Sequence, residues 1–264
     1  MEPITVIVHG ALGKVGREVV NAVCQESETK LVGAVDLKAS EGYLLLPDGS
    51  GKVPISTDLK DILSKCQADV MVDFTIAKAT MPAARTAAEK GINLVIGTTG
   101  LTAEDLKEIE GLSKTNKIGI VVAPNFALGA VLMMHLSRIA GKYMDYAEII
   151  ELHHHLKADA PSGTALSTAR AMAQARGKPF SRPPESAKPS KSRGEEVEGV
   201  SIHAVRLPGL MAHQEVILGA PGQTLRIRHD TINRECYMPG VMLAIKEVVQ
   251  RPGFTYGLDA LLNL

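Results

Sequence analysis

From Ile4 to Ala123 the chain alternates short, nearly continuous apolar runs with longer stretches at helical spacing. The runs are 4–9, 31–36, 70–75, 94–97 and 118–123, and helical patterns occupy 14–25, 77–90 and 102–115. A strand with one wet face alternates apolar and polar residues. These Val/Ile-rich runs do not, so both of their faces must be covered. Strands of that kind separated by helices join through crossovers, which predicts a parallel sheet with helices on both sides.

After Asn125 the pattern changes. A helix is expected over 129–143, a strand over 147–153 and a helix over 165–175. Residues 178–199 are rich in Pro, Ser, Lys and Arg and read as an exposed loop. Runs at 200–207, 213–218 and 224–229 follow, joined by short Gly/Pro turns, and predict a mostly antiparallel sheet. The last alternates cleanly, with Leu225 and Ile227 on one face and Arg226 and Arg228 on the other. A final helix is expected at 239–250. The fold class is therefore α/β, a parallel-sheet domain followed by an α+β domain. No internal repeat occurs.

His9-Gly-Ala-Leu-Gly-Lys-Val-Gly-Arg17 ends the first run and opens the first helix. Its glycines are spaced G-x-x-G-x-x-G, one residue longer in the first gap than the usual dinucleotide fingerprint. The mechanics still hold: Gly10 takes the tight turn, Gly13 lets the backbone approach a pyrophosphate, and Gly16 allows close helix–strand packing. Asp36 closes the second strand, where a carboxylate meets the adenosine ribose hydroxyls. These features make the first domain a Rossmann-type dinucleotide site. Asp36 suits NADH and opposes the extra phosphate of NADPH, while Lys14 and Lys38 offset that repulsion, so NADH is expected to be used well and NADPH not excluded. Two more loops fall at strand C-termini, where ligands bind in open α/β sheets: Gly97-Thr-Thr-Gly100 and Ala123-Pro-Asn-Phe126. The Asn125 amide is suited to orient a nicotinamide or its ribose. Taken alone, each loop is an ordinary turn.

Composition narrows the function classes. Net charge is zero, with 29 basic and 29 acidic residues, and aromatics are 3% with no Trp. That argues against nucleic-acid binding, which favours basic stripes and stacking platforms. No apolar run reaches membrane-spanning length, and the N-terminus reads as having no signal peptide. Cys24, Cys66 and Cys236 lie far apart, fit a reducing cytoplasm and read as small buried side chains.

Glu151-Leu-His-His-His-Leu-Lys-Ala-Asp-Ala-Pro-Ser-Gly-Thr164 brings three imidazoles and a lysine to a Pro-Ser-Gly-Thr turn that opens a helix. The helix start supplies unpaired N–H groups and partial positive charge. Lysine adds a full charge, and histidine adds a group that exchanges a proton near neutral pH. The segment reads as a site that holds a carboxylate or phosphate and moves a proton beside it. A metal is not expected, because neighbouring strand residues point to opposite faces and three in a row do not converge on one ion. In an extended segment His153, His155 and Lys157 share a face; if the chain turns after His154, a different pair converges. Arg206 and Arg234 are further candidates for anion binding or for tying the domains together, against the plainer reading of surface arginines.

The chain resembles the dihydrodipicolinate reductase (4-hydroxy-tetrahydrodipicolinate reductase) family of diaminopimelate and lysine biosynthesis. The resemblance rests on Gly10-Ala-Leu-Gly-Lys-Val-Gly16, Asp73-Phe-Thr75, Gly97-Thr-Thr-Gly100, Ala123-Pro-Asn-Phe126 and the Glu151 to Thr164 segment, in the family's order and across almost the whole chain. It implies an NADH- or NADPH-dependent cytoplasmic reductase of 4-hydroxy-tetrahydrodipicolinate, with loss of water. It implies His153 as the acid/base and Lys157 as the proton donor, with His154, Gly163 and Thr164 holding substrate carboxylates. Gly10, Ala11, Leu12, Gly13, Lys14, Val15, Asp36, Gly97, Thr98, Thr99, Ala123, Pro124, Asn125 and Phe126 match cofactor contacts. It further implies a dinucleotide domain over 1–126 completed by 237–264, and a substrate and tetramerisation domain over 127–236. The partners are then the small dicarboxylate and further copies of the chain in a homotetramer, with chemistry in the cleft between the domains. One position departs: the residue before the lysine is often His in the family and is Leu156 here. The rival readings are another Rossmann reductase of an anionic imine or carbonyl, and a catalytically dead nucleotide sensor. The lysine-to-threonine segment counts against the first, and retention of the His/Lys pair against the second.

Overall fold

The computed structural model describes residues 2–182, 184 and 192–264. They divide into two compact units, 1–128 with 234–264, and 129–233.

The first unit is built on an eight-stranded sheet, ordered β13-β7-β6-β5-β1-β2-β4-β3. Its strands are β1 (Ile4–His9), β2 (Thr29–Val35), β3 (Tyr43–Leu45), β4 (Lys52–Ser56), β5 (Val70–Asp73), β6 (Asn93–Ile96), β7 (Gly119–Val122) and β13 (Gly253–Tyr256). Every pairing is parallel except β3 with β4. The expected apolar runs are its centre: Val6, Ile7, Val8, Val72, Leu94 and Ile120 are fully buried. Helices α1 (Gly16–Gln25), α2 (Leu59–Lys65), α3 (Ala77–Ala88), α4 (Ala103–Asn116), α7 (Met238–Val248) and α8 (Leu258–Leu261) complete the unit. Thr102 starts α4 with a capping box, its hydroxyl accepting from Asp105 N while the Asp105 carboxylate accepts from Thr102 N.

The second unit carries a five-stranded sheet ordered β12-β11-β8-β10-β9. Its strands are β8 (Tyr146–His153), β9 (Glu195–Val197), β10 (Val200–Arg206), β11 (Ala212–Ala220) and β12 (Gln223–Thr231). The sheet is mostly antiparallel, but β10 runs parallel to β8. Helices α5 (Leu128–Ala140) and α6 (Gly163–Arg176) pack on one face through Met133, Ala165, Ala169 and Met172, against Ala147, Ile149, Ile202 and Val216.

Several expectations change. Helix α1 begins at Gly16, because the glycine turn occupies the preceding residues. Part of the loop expected over 178–199 is strand β9, a short charged edge that completes the sheet beside β10; residues 183 and 185–191 of that loop lie outside the described residues. The cysteines are half-buried thiols rather than core residues. No described helix is long and apolar enough to cross a membrane.

Candidate active site

Strand β8 ends at His153 and the chain turns immediately, with Lys157 N donating to His154 O. The turn separates the three histidines. His153 stays on the Glu151 side of the strand, 14% exposed in its side chain, while His154 and His155 face solvent. Glu151 is fully buried, and its Oε2 lies 2.5 Å from His153 Nδ1. Arg206, at the end of β10, donates to both Glu151 oxygens at 2.8 Å, and Ser162 N donates to Oε1 at 3.1 Å. Burial pushes the Glu151 carboxyl up, but the hydrogen bonds from His153 and Arg206 outweigh it and hold it at about 2. An ionised carboxylate only accepts, so His153 Nδ1 donates to it and Nε2 is left to exchange a proton.

Sequence alone offers Arg206 as a candidate for anion binding or domain tying against a plain surface arginine, and gives Glu151 no separate role. The signal for both lies in pairing: β10 runs beside β8 with Arg206 opposite His153. Arg206 also donates to the carbonyls of Lys157 and Asp159, so one guanidinium fastens the loop after β8 to the strand. Lys157 Nζ is held by both oxygens of Asp159, at 2.8 and 2.7 Å.

Ser162 caps α6, its Oγ accepting from Ala165 N at 3.2 Å. The N–H groups of Gly163 and Thr164 are left without a hydrogen-bond partner among the described residues. Gly163 is exposed, and a Cβ there would meet no atom within 4 Å. The helix start is thus an open anion cradle, on the same loop as Lys157 and anchored to the Glu151–His153 pair.

In the first unit, Gly10 sits at φ +85° where a Cβ would lie 2.7 Å from Phe74 O, so only glycine fits the turn. The N–H groups of Lys14 and Val15 have no partner among the described residues and open onto the start of α1, whose N-cap has no side-chain bond. Asp36 accepts from Leu12 N at 2.8 Å and from Lys38 N at 2.8 Å, so the glycine loop aims the carboxylate. These groups fit a dinucleotide: free amides for a pyrophosphate, a fixed carboxylate for a ribose diol. Thr99 and Pro124 are exposed, and Asn125 is partly so, its Oδ1 accepting from Ala127 N. Thr98, Ala123, Phe126 and Ala11 are buried. The Phe126 ring packs on Phe74 with centroids 5.6 Å apart, and the Phe74 ring fills the space a Cβ of Gly97 would need. Among the described residues no group of three His, Cys, Asp or Glu side chains is placed to hold a metal.

The family model for the dihydrodipicolinate reductase N-terminus matches residues 4–126, and that for the C-terminus matches 129–262. A 4-hydroxy-tetrahydrodipicolinate reductase of Dehalococcoides mccartyi is 60% identical over 264 residues, covering 100% of both chains. That of Moorella thermoacetica is 48% identical over 98% of each. A dipicolinate-bound dihydrodipicolinate reductase from Paenisporosarcina sp. TG-14 superposes with a TM-score of 0.86 at 38% identity, covering 98% of this chain and 99% of that one.

Proposed function

The chain belongs to the dihydrodipicolinate reductase family, and we propose that it reduces 4-hydroxy-tetrahydrodipicolinate with the second unit holding the substrate and the first the nicotinamide cofactor. It is an oxidoreductase of diaminopimelate and lysine biosynthesis. The reaction adds one hydride and one proton to the ring and releases one water. When bound, the reduced nicotinamide supplies the hydride. His153 exchanges the proton at Nε2, because Glu151 occupies Nδ1. Lys157 is the proton-donating lysine that works with His153 on that one proton, and a cationic anchor for a carboxylate, which takes over from Asp159 as its counter-ion. Gly163 and Thr164 N–H groups and the exposed His154 receive the substrate's carboxylates. The observation that carries this reading is the buried Glu151–His153 pair fastened beside an uncapped pair of helix N–H groups.

Gly10 to Val15 with Asp36 form the cofactor's phosphate and ribose contacts. The loops at Gly97, Thr98 and Thr99 and at Ala123, Pro124, Asn125 and Phe126 form its nicotinamide end, Thr98, Ala123 and Phe126 as buried supports. The aimed Asp36 carboxylate favours NADH over NADPH, with Lys14 and Lys38 tempering the difference. NADH oxidation with enzymatically generated substrate tests the activity, and inhibition by pyridine-2,6-dicarboxylate tests the dicarboxylate site. No turnover with either cofactor would overturn the reading, and a strong NADPH preference would overturn the role of Asp36.

The enzyme works as a homotetramer. Support comes from the second sheet, whose helices cover one face while Ile150, Leu152 and Ile217 alternate onto the other among charged side chains. Light scattering on the purified protein tests it; a monomer would refute it. The same reading places the enzyme in the cytoplasm, where thiols stay reduced.

A further inference from the structure

Asp73 ends β5 and touches neither the glycine loop's open amides nor Asp36, yet both of its oxygens are bonded by side chains of the surrounding segments. It is fully buried. Oδ2 lies 2.6 Å from His9 Nδ1. Oδ1 accepts from Thr98 Oγ1 at 2.6 Å, from Thr75 Oγ1 and Thr80 Oγ1 at 2.9 Å, and from Thr75 N at 3.1 Å. Thr98 Oγ1 in turn accepts from Thr75 N at 2.8 Å. Burial pushes the Asp73 carboxyl up; the bonds from His9, Thr98 and Thr75 outweigh it and hold it below its ordinary value.

The donors come from separate segments. His9 directly precedes Gly10, Thr75 follows β5, Thr98 lies in the loop after β6, and Thr80 is on α3. One carboxylate therefore fastens three consecutive loops at the C-terminal edge of β1, β5 and β6, the edge where open parallel sheets bind ligands. Moving a charge out of water costs several kcal/mol, and packed apolar side chains would hold a core as well or better. The arrangement gains something different: fixed loop positions. Thr98 is 4% exposed and its hydroxyl is committed to Asp73, so it sets the position of its loop rather than reaching a ligand by its side chain.

We propose that Asp73 is a positioning residue for the nicotinamide cofactor, holding the Gly10 and Gly97 loops at one spacing through His9 and Thr98, with Thr80 as its buried brace. The proposal rests on the reading of the first unit as the cofactor site. Thr80 is fully buried on α3, where its hydroxyl meets Asp73 Oδ1, the Ile76 carbonyl and, at 3.2 Å, Thr75 Oγ1, itself a donor to Asp73, so it reaches a ligand only through Asp73 and the Asp73-bound Thr75. It therefore separates positioning from direct contact.

The test is fluorescence titration of NADH into wild type and into Asp73→Asn, Thr80→Val and Thr80→Ser, with thermal midpoints measured alongside. Asp73→Asn is expected to raise the NADH Kd roughly tenfold and Thr80→Val about threefold, with Thr80→Ser returning to within about twofold of wild type. The Kd for pyridine-2,6-dicarboxylate, measured without cofactor, stays unchanged in all. If Asp73→Asn does not fold, the Thr80 pair decides. Variants that lose thermal stability but bind NADH like wild type would overturn the proposal by reducing Asp73 to a structural role. Wild type that binds neither NADH nor NADPH would overturn the cofactor reading itself, and this proposal with it.

Discussion

A carboxylate enclosed by protein and kept ionised does two things to a neighbouring imidazole: it selects the protonated nitrogen and it stabilises the imidazolium. Glu151 does the first of these for His153, taking the Nδ1 hydrogen and leaving Nε2 open. His153→Ala is expected to lower kcat by roughly two to four orders of magnitude while leaving the NADH Kd unchanged; near-normal turnover would remove His153 from the proton transfer. Glu151→Gln keeps the shape but offers an amide that donates as readily as it accepts. Its kcat is expected to fall by about one to two orders of magnitude, with a smaller change in KM. The same pair makes a stability prediction. The Glu151 carboxyl is lowered from 4.5 to about 2, so its stabilisation is complete above pH 4.5 and disappears as the pH falls through 2. The shift corresponds to about 3 kcal/mol. Acid titration of the thermal midpoint should show wild type losing that much more than Glu151→Gln over this window; parallel curves would refute it. His153, Lys157, Gly163 and Thr164 stand out as candidates in the sequence because one contiguous motif carries them. Glu151 stands in the same motif, but its meaning depends on Arg206, 55 residues further on, and no local pattern shows that pairing.

Elements were legible where the pattern was long or dense. Strands β1, β5, β6 and β7 are short yet mostly apolar, and α3 and α4 keep helical spacing. Strands β3 and β4, helix α2, strand β13 and helix α8 escaped notice because each is only a few residues long, and β3 and β13 hold no fully buried residue. The parallel placement of β10 beside β8 was also invisible, since alternation reports which face is wet and not which neighbour is paired. At α6 the local chemistry was readable: serine before glycine and threonine announces a capped helix start. Ser162→Ala removes the bond to Ala165 N while sparing the backbone bond to Glu151. The expected cost is about 1 kcal/mol, read as a lower thermal midpoint, together with a several-fold rise in KM for substrate and no change in KM for NADH. An unchanged substrate KM would show that the helix start does not hold the carboxylates.

At the scale of the molecule, the first unit is made from both ends of the chain. Strand β13 adds to the sheet beside β7, and α7 lies against α1 and the strands β5, β6 and β7. Met238, Val241, Ala244, Ile245, Val248, Leu258 and Leu261 are all buried there. Each fully buried Val, Leu, Ile or Met side chain is worth about 1.5–3 kcal/mol relative to exposure, so losing this set is large beside the roughly 5–15 kcal/mol net stability of a folded domain. A chain ending at Asn233 leaves the apolar residues that face α7 and the edge of β7 uncovered, although it retains Gly10 to Val15, Asp36 and every other residue assigned to the cofactor. It is expected to lose NADH binding and the cooperative unfolding of the first unit. Supplying residues 234–264 as a separate polypeptide should restore part of the binding, because the missing contacts are packing and strand pairing rather than covalent continuity. Wild-type NADH affinity in the truncated chain would show that the glycine loop and Asp36 form the site without the C-terminal segment, and that this segment belongs to the fold only as a cover.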